Sequence, residues 1–340
     1  MLSVYLVLTD SCNLLCPSCI RKNISESGVL SIEHFEKIIF TLKKHTSNCS
    51  INITGGEPFL NTIWEYITRK CFDEFGKVCI CSNGMISDVN IEKLKIYLKD
   101  GIYLQISIDG DEDADTAIRG EYHYNSVINT IKSLSDYSNK LILSTSIDRR
   151  NIGRIENLIN TLNTLRFLFW KVSWIQSLHP KNDYNMLTSE EWNKFVDEIL
   201  PLCYFPTKIP RLFDFNLFDE ATHCSHNLNM SIRNCGFGKQ KIYIFPNGDV
   251  YPCSCYSSWK IGNILIDSFE EILRKIDCLT NFTIPTDSIC YSCKYKDLCN
   301  SGCPGYSMKM YGKLGYGDIR CPLVRKQYDK EYKNIYNGKM

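Results

Sequence analysis

Net charge is almost absent from this 340-residue sequence, in which 39 lysines and arginines stand against 38 aspartates and glutamates. Such a balance gives no general attraction for polyanions, so nucleic acid is not an expected partner. Long hydrophobic runs are missing as well. Stretches such as LRFLFW (165–170) fall far short of the ~20 residues that span a bilayer, and no membrane partner is expected. MLSVYLVLTD at the N-terminus has no basic segment before its apolar run and no small-residue cleavage site after it, which does not fit an export signal. Histidine is scarce, six residues scattered without ligand spacing, so a histidine-based metal site is not indicated. No internal repeat or low-complexity tract occurs. With 44% hydrophobic and 23% charged residues, the chain reads as a soluble, cytoplasmic protein long enough for two domains.

Cysteine is abundant, with 18 residues. Without an export signal, and in closely spaced groups, these favour metal or cluster ligation over disulfides. Eight lie outside any pattern (Cys49, Cys71, Cys79, Cys81, Cys203, Cys224, Cys255 and Cys278), and their default role is that of small buried hydrophobes.

Strand-like runs at 3–8, 50–54, 77–82, 102–108, 140–147 and 167–175 alternate with helical patterns such as Phe35, Ile38, Ile39 and Leu42, or Val127, Ile128, Ile131 and Leu134. This alternation predicts an α/β fold with a parallel sheet, open or curved into a partial barrel. Chemistry then collects at the C-terminal strand ends. The expected organisation is a barrel over 1–180, a bridge over 181–234 with one helix at SEEWNKFVDEILPL, an irregular cysteine-rich domain over 235–325 lacking a conventional core, and a tail over 326–340 forming a solvated helix.

After the first strand, Cys12, Cys16 and Cys19 fall within eight positions and no fourth cysteine follows. Cubane iron-sulfur clusters are normally held by four thiolates, so three leave one iron open to a non-protein ligand. Structural zinc, the alternative, prefers four closed ligands and paired C-x2-C knuckles. TGGEP (54–58) follows the second strand, SNG (82–84) the third and SIDG (107–110) the fourth; each alone is an ordinary turn sequence.

The motif Cys12-x3-Cys16-x2-Cys19, followed by these loops in order, resembles the signature of radical S-adenosylmethionine (SAM) enzymes. The resemblance implies a cluster whose open iron is chelated by SAM, and reductive cleavage of SAM to a 5′-deoxyadenosyl radical that abstracts hydrogen from substrate. It also implies that Thr54, Gly55, Gly56, Glu57 and Pro58 receive the SAM ammonium, that Ser82 and Asn83 contact ribose or methionine, and that Ser107 and Arg119 lie near the SAM carboxylate. Asp109 is the candidate catalytic residue, with a strand-end cap as its plainer role. Ser18 stands where the family often has an aromatic residue before the third cysteine, a departure that bears on adenine packing.

The C-terminal pattern Cys235, Gly248-x4-Cys253, Cys290-x2-Cys293-x5-Cys299-x3-Cys303 and Cys321 is similar to the SPASM domain, which carries two auxiliary clusters. The resemblance implies three [4Fe-4S] clusters in all. Cys290, Cys293, Cys299 and Cys321 would hold one auxiliary cluster and Cys235, Cys253 and Cys303 the other, whose fourth ligand is Cys255, Cys224 or none. A zinc ribbon of Cys290, Cys293, Cys299 and Cys303 is the alternative.

SPASM-bearing relatives mostly modify ribosomally made peptides. The expected function is oxidative peptide maturation, forming a carbon-carbon or thioether crosslink, with an external flavodoxin- or ferredoxin-type electron donor. Alternatives are a small-molecule dehydrogenase, a formylglycine-forming sulfatase-maturing enzyme and a non-catalytic iron-sulfur scaffold. Ser254 follows Cys253 where sulfatase-maturing enzymes typically carry a basic Asp, which counts against that reading. The first strand begins near residue 3, leaving no room for a leader-binding domain before it, so peptide recognition would fall to a separate protein, to the barrel or to bridge aromatics such as Phe213, Phe215 and Phe218.

Overall fold

In this computed structural model, residues 2–19, 28–46, 48–175, 185–223, 241–253 and 259–336 are described. Six strands, β1 (Leu2–Val7), β2 (Cys49–Thr54), β3 (Val78–Ser82), β4 (Tyr103–Ser107), β5 (Leu141–Ile147) and β6 (Phe169–Trp174), fall within two residues of the expected runs. Helices α1 (Ile32–His45), α2 (Trp64–Phe75), α3 (Asp88–Asp100), α4 (Glu112–Arg119), α5 (His123–Ser133) and α6 (Ile155–Leu162) alternate with them, two helices sharing the β4–β5 crossover. Local signals set α1: Ser31 caps it by accepting from the His34 amide, and Lys43, Lys44 and His45 complement its C-terminal dipole. Its apolar stripe, Phe35, Ile38, Ile39 and Leu42, is buried as the spacing predicts.

The remaining elements are α7 (Ser189–Ile199), β7 (Thr207–Lys208), α8 (Phe215–His223), β8 (Lys241–Ile244), β9 (Asp249–Tyr251), β10 (Gly262–Asn263), α9 (Phe269–Thr280), α10 (Lys296–Cys299), α11 (Pro304–Tyr311) and α12 (Pro322–Tyr336). All ten strands form one sheet in the order β10-β9-β8-β1-β2-β3-β4-β5-β6-β7. Its two faces differ. Alternate residues such as Val4, Ile51, Ile53, Ile80, Leu104 and Leu143 are fully buried, while their neighbours Tyr5, Asn52, Cys79, Cys81, Gln105 and Lys171 are only half-buried. A parallel sheet covered on both faces would read as continuous apolar runs; this one alternates.

Two compact units emerge. The first joins residues 1–173 and 202–208 to 239–276, so part of the region expected to be an irregular extension packs with the sheet instead. β8 pairs in parallel with β1, Tyr5 stacks on Tyr243 at 4.5 Å, and Val7, Phe245 and Tyr251 complete an apolar cluster. A tight turn at Pro246–Gly248 joins β8 to β9; Gly248 adopts φ +85°, and a Cβ there would come within 2.6 Å of Leu265. Residues 239–276 therefore do possess a conventional core. It is not visible locally because KIYIF is short and its partner strand lies over 230 residues away.

The second unit comprises 174–201, 209–238 and 277–340. A capping box of Thr188 and Glu191 starts α7, and Trp192 is buried with its Nε1 donating to the Pro210 carbonyl at 2.7 Å. Phe213 and Phe218 are buried, and half-buried Phe215 stacks on Tyr295 at 5.0 Å, so these aromatics contribute to the packing of this unit. Tyr306, Met310, Ile319 and Tyr328 cluster together. The tail is helical as expected, but Val324 and Tyr328 of α12 are buried, which anchors the helix's first half. Among the described residues no helix is long and apolar enough to cross a membrane.

Candidate cofactor site

The loops after β1 and β2 are laced together by backbone. Gly56 N–H donates to the Thr9 carbonyl at 2.7 Å and Glu57 N–H to the Ser11 carbonyl at 2.8 Å. A Cβ on Gly55 would lie 2.7 Å from Thr9 O, and one on Gly56 would lie 2.1 Å from Ser11 O. The two glycines are thus dictated by the approach of the cysteine loop itself, a reason that holds before any ligand binds.

Cys12, Cys16 and Cys19 stand within electrostatic reach of one another, and a turn from Cys19 N–H to the Cys16 carbonyl (3.1 Å) joins the last two. Burial pushes the Cys16 thiol up, while the Arg119 guanidinium works the other way. Asn83 ties the loop after β3 to the same place: its Nδ2 donates to Asn13 Oδ1 at 2.7 Å and meets Cys12 Sγ at 3.8 Å.

Glu57 is buried, and its carboxylate accepts from Ser82 Oγ (2.9 Å) and the Asn83 amide (2.8 Å). Burial pushes its pKa up to about 7, with these hydrogen bonds opposing the rise. It therefore binds the β2 loop to the β3 loop. Pro58 opens the short 3-10 turn that Glu57 caps, and Thr54 ends β2, half-buried.

At the end of β4, Ser107 is half-buried and Asp109 is buried. Asp109 Oδ2 accepts from Arg119 Nε (2.8 Å) and Nη2 (2.7 Å), and its Oδ1 accepts from the Ser146 amide (2.8 Å). Both oxygens are committed, so Asp109 holds Arg119 in place. The guanidinium stays charged because Asp109 more than offsets the cost of its burial.

Other residues of the site carry no sequence signal. His123 and Asp115 are fully buried and hydrogen-bonded to each other; His123 Nε2 donates to the Asn83 carbonyl at 2.8 Å, and Asp115 Oδ2 accepts from the Asp109 amide at 2.8 Å. The pair thereby couples the SNG loop to the SIDG loop. Asn151 donates to the Asp109 and Ser146 carbonyls. Arg150, paired with buried Asp148 through Nε at 2.9 Å, also donates to Ser18 between two of the cysteines. The serine found in place of an aromatic residue is thus tethered to the end of β5.

In the second unit, Cys290, Cys299 and Cys321 act electrostatically on one another and Cys293 acts on Cys290, bringing four of the candidate ligands together. Burial is the main cause of the raised thiols at Cys290, pushed up to about 11, and Cys321, pushed up to about 12. Cys303 occupies the N-cap position of α11 without a side-chain capping bond, and its amide donates to Asp318 Oδ2 at 3.1 Å. Cys253 is half-buried beyond β9 in the first unit. Cys224, Cys235 and Cys255 lie outside the described residues.

Grouped thiols, three in the first loop and four in the second unit, are the donor chemistry of iron-sulfur clusters, which take one thiolate per iron.

Comparison with protein families decides the relationship. Residues 6–162 match the radical SAM superfamily, and residues 235–303 match the iron-sulfur cluster-binding SPASM domain. The chain is a radical SAM protein with a SPASM domain. Radical SAM proteins use SAM and a [4Fe-4S] cluster, and SPASM domains bind auxiliary iron-sulfur clusters. Among its relatives is the antilisterial bacteriocin subtilosin biosynthesis protein AlbA of Bacillus subtilis, 28% identical over 286 residues, which are 78% of this chain and 58% of AlbA. This radical SAM protein thus spans less than two thirds of AlbA's length. Mycofactocin maturase MftC of Mycolicibacterium smegmatis is 26% identical over 323 residues, 87% of this chain and 76% of that protein. In fold it resembles Streptococcus suis SuiB bound to the precursor peptide SuiA, with a TM-score of 0.74 and 17% identity over 94% of this chain and 76% of that one.

Proposed function

We propose that this protein is an oxidative maturase that removes hydrogen from a ribosomally made peptide and forms a carbon-carbon or thioether crosslink within it. The observation that carries this reading is the rim itself, where the three-cysteine loop is bonded to the GGEP and SNG loops and faces a charged Arg119. AlbA, MftC and SuiB, named for subtilosin biosynthesis, mycofactocin maturation and a bound precursor peptide, support the peptide class.

Cys12, Cys16 and Cys19 would hold the SAM cluster, with the backbone of 54–58, Ser82, Asn83, Ser107 and Arg119 around SAM. Bound there, the reduced cluster and SAM supply a hydrogen-abstracting radical. Arg119 would orient the SAM carboxylate while Asp109 positions Arg119. Cys290, Cys293, Cys299 and Cys321 would hold one auxiliary cluster, and Cys235, Cys253, Cys303 and Cys255 the other. An external flavodoxin or ferredoxin would deliver electrons, a separate protein would present the leader, and the work would proceed in the cytoplasm.

The test is anaerobic reconstitution with iron and sulfide, followed by SAM, reductant and either the peptide or the small-metabolite fraction of a cell extract. The peptide fraction should stimulate release of 5′-deoxyadenosine and yield a peptide lighter by two hydrogens. Stimulation by small metabolites alone, or no SAM cleavage from cluster-loaded protein, would remove the maturase reading.

A further inference from the structure

Asn83 is held on both sides by buried groups. Its amide N–H donates to Glu57 Oε2 and its carbonyl accepts from His123 Nε2, both at 2.8 Å. Glu57, His123 and the Asp115 bonded to His123 are all buried, so the backbone at this point is gripped from two other segments of the chain. The turn that follows is equally confined: Gly84 adopts φ +89°, and a Cβ there would lie 2.6 Å from the Ile106 side chain.

The side chain is fixed as well. Met85 N–H donates to Asn83 Oδ1 at 2.8 Å, and an N–H can face only the oxygen of the amide, so this partner sets which way the group points. The two Nδ2 hydrogens face the other way, toward Asn13 Oδ1 at 2.7 Å and Cys12 Sγ at 3.8 Å. Both are committed, which leaves Asn83 no side-chain donor for SAM. A cysteine that ligates iron is a thiolate, which accepts and no longer donates. The N–H···S contact is already made from the Asn83 side, so ligation turns it into a charge-assisted bond. Hydrogen bonds to the sulfurs are among the factors that set the potential of an iron-sulfur cluster, since they stabilise the added electron.

We infer that Asn83 is a positioning residue for the SAM cluster, aiming Cys12 through an N–H···S hydrogen bond and raising the reduction potential of the cluster that Cys12 helps to hold. Glu57, His123 and Asp115 aim Asn83 in turn. This deepens the reading of Cys12, Cys16 and Cys19 as the SAM-cluster ligands and rests on it.

The test is an EPR-monitored redox titration of the reconstituted full chain, without SAM or peptide, in which the relevant signal is the one that changes when SAM is added to a parallel sample. Asn83→Asp keeps an oxygen for Met85 N–H but loses both hydrogens, and Asn83→Ala loses them without adding charge. In Asn83→Asp the equilibrium constant for reduction should fall tenfold or more, a potential lower by about 59 mV for one electron. Asn83→Ala should move in the same direction, whereas Asn13→Ala, which leaves the bond to Cys12, should match the parent, and the auxiliary signals should stay in place. Potentials unmoved in both Asn83 variants, an equal shift in Asn13→Ala, or a shift shared by all the clusters would overturn the inference. So would an unmoved potential with weakened SAM binding, the mark of a direct SAM contact. A variant that fails to hold its cluster is covered by a second measurement on the native side chain: pulsed EPR of reduced Asn13→Ala protein, labelled with 15N in asparagine, should show a 15N coupling in the SAM-cluster signal, and its absence would overturn the inference independently. No turnover is needed, so a shifted potential without peptide modification would sink only the maturase reading, and modification by a chain whose potential ignores Asn83 would sink only this one.

Discussion

Glu57 is a side chain through which pH acts directly on this fold. Burial holds its carboxyl near pKa 7, against an ordinary value of 4.5. The folded state therefore keeps a proton that the unfolded chain releases earlier. The stability from that proton is fully present below about pH 4.5 and is lost as pH rises through about 7, a change on the order of 3 kcal/mol. Glu57→Gln, neutral throughout, should flatten the decline in melting temperature across that window; an unchanged slope would refute the assignment. The Ser18–Arg150 bond makes a second prediction: Ser18→Ala and Arg150→Ala should each speed iron loss to a chelator, with a coupling of about 1 kcal/mol in the double variant. Additive effects would show that the bond does not hold the cysteine loop. At this scale the legible residues were those adjacent in sequence, such as Gly55–Glu57. Asp115, His123 and Arg150 were not, because their partners come from other loops and a lone buried histidine or arginine leaves no spacing to read.

Among elements, the contact between the β1 and β2 loops is the least forgiving. Gly56→Ala would drive a methyl into the Ser11 carbonyl, backbone against backbone, whereas a Cβ on Gly153 meets nothing within 4 Å. Gly56→Ala should cost more than about 2 kcal/mol in chemical denaturation and reduce bound iron, while Gly153→Ala should change neither appreciably. Similar losses in both would mean that the lacing is looser than its hydrogen bonds imply. The bridge through His123 should behave likewise: His123→Ala leaves Asp115 and the Asn83 carbonyl buried without their partner, for a loss of about 3 kcal/mol. Denaturation within 1 kcal/mol of the parent would contradict it. The six βα strands were readable because each carries its own alternation or apolar run between turn signals. The strands β7, β9 and β10, of two or three residues, are too short for any period and exist only through their neighbours.

At the level of the whole molecule, the sheet unit is not a contiguous N-terminal piece. Residues 239–276 complete it, with β8 covering the edge of β1. A chain ending at residue 238 should therefore aggregate or bind a hydrophobic dye and melt without cooperativity; a monomeric fragment with a sharp transition would show that β8 is dispensable. This arrangement also bears on synthesis. β1 leaves the ribosome more than 230 residues before β8, an interval of tens of seconds at about 5–20 residues per second. Throughout that time one edge of the strand leading into the Cys12 loop has no neighbour from its own chain. This strand is made long before its edge is sealed, so over that interval a nascent chain remains prone to mispairing, and accessible to a chaperone, beside the Cys12 loop.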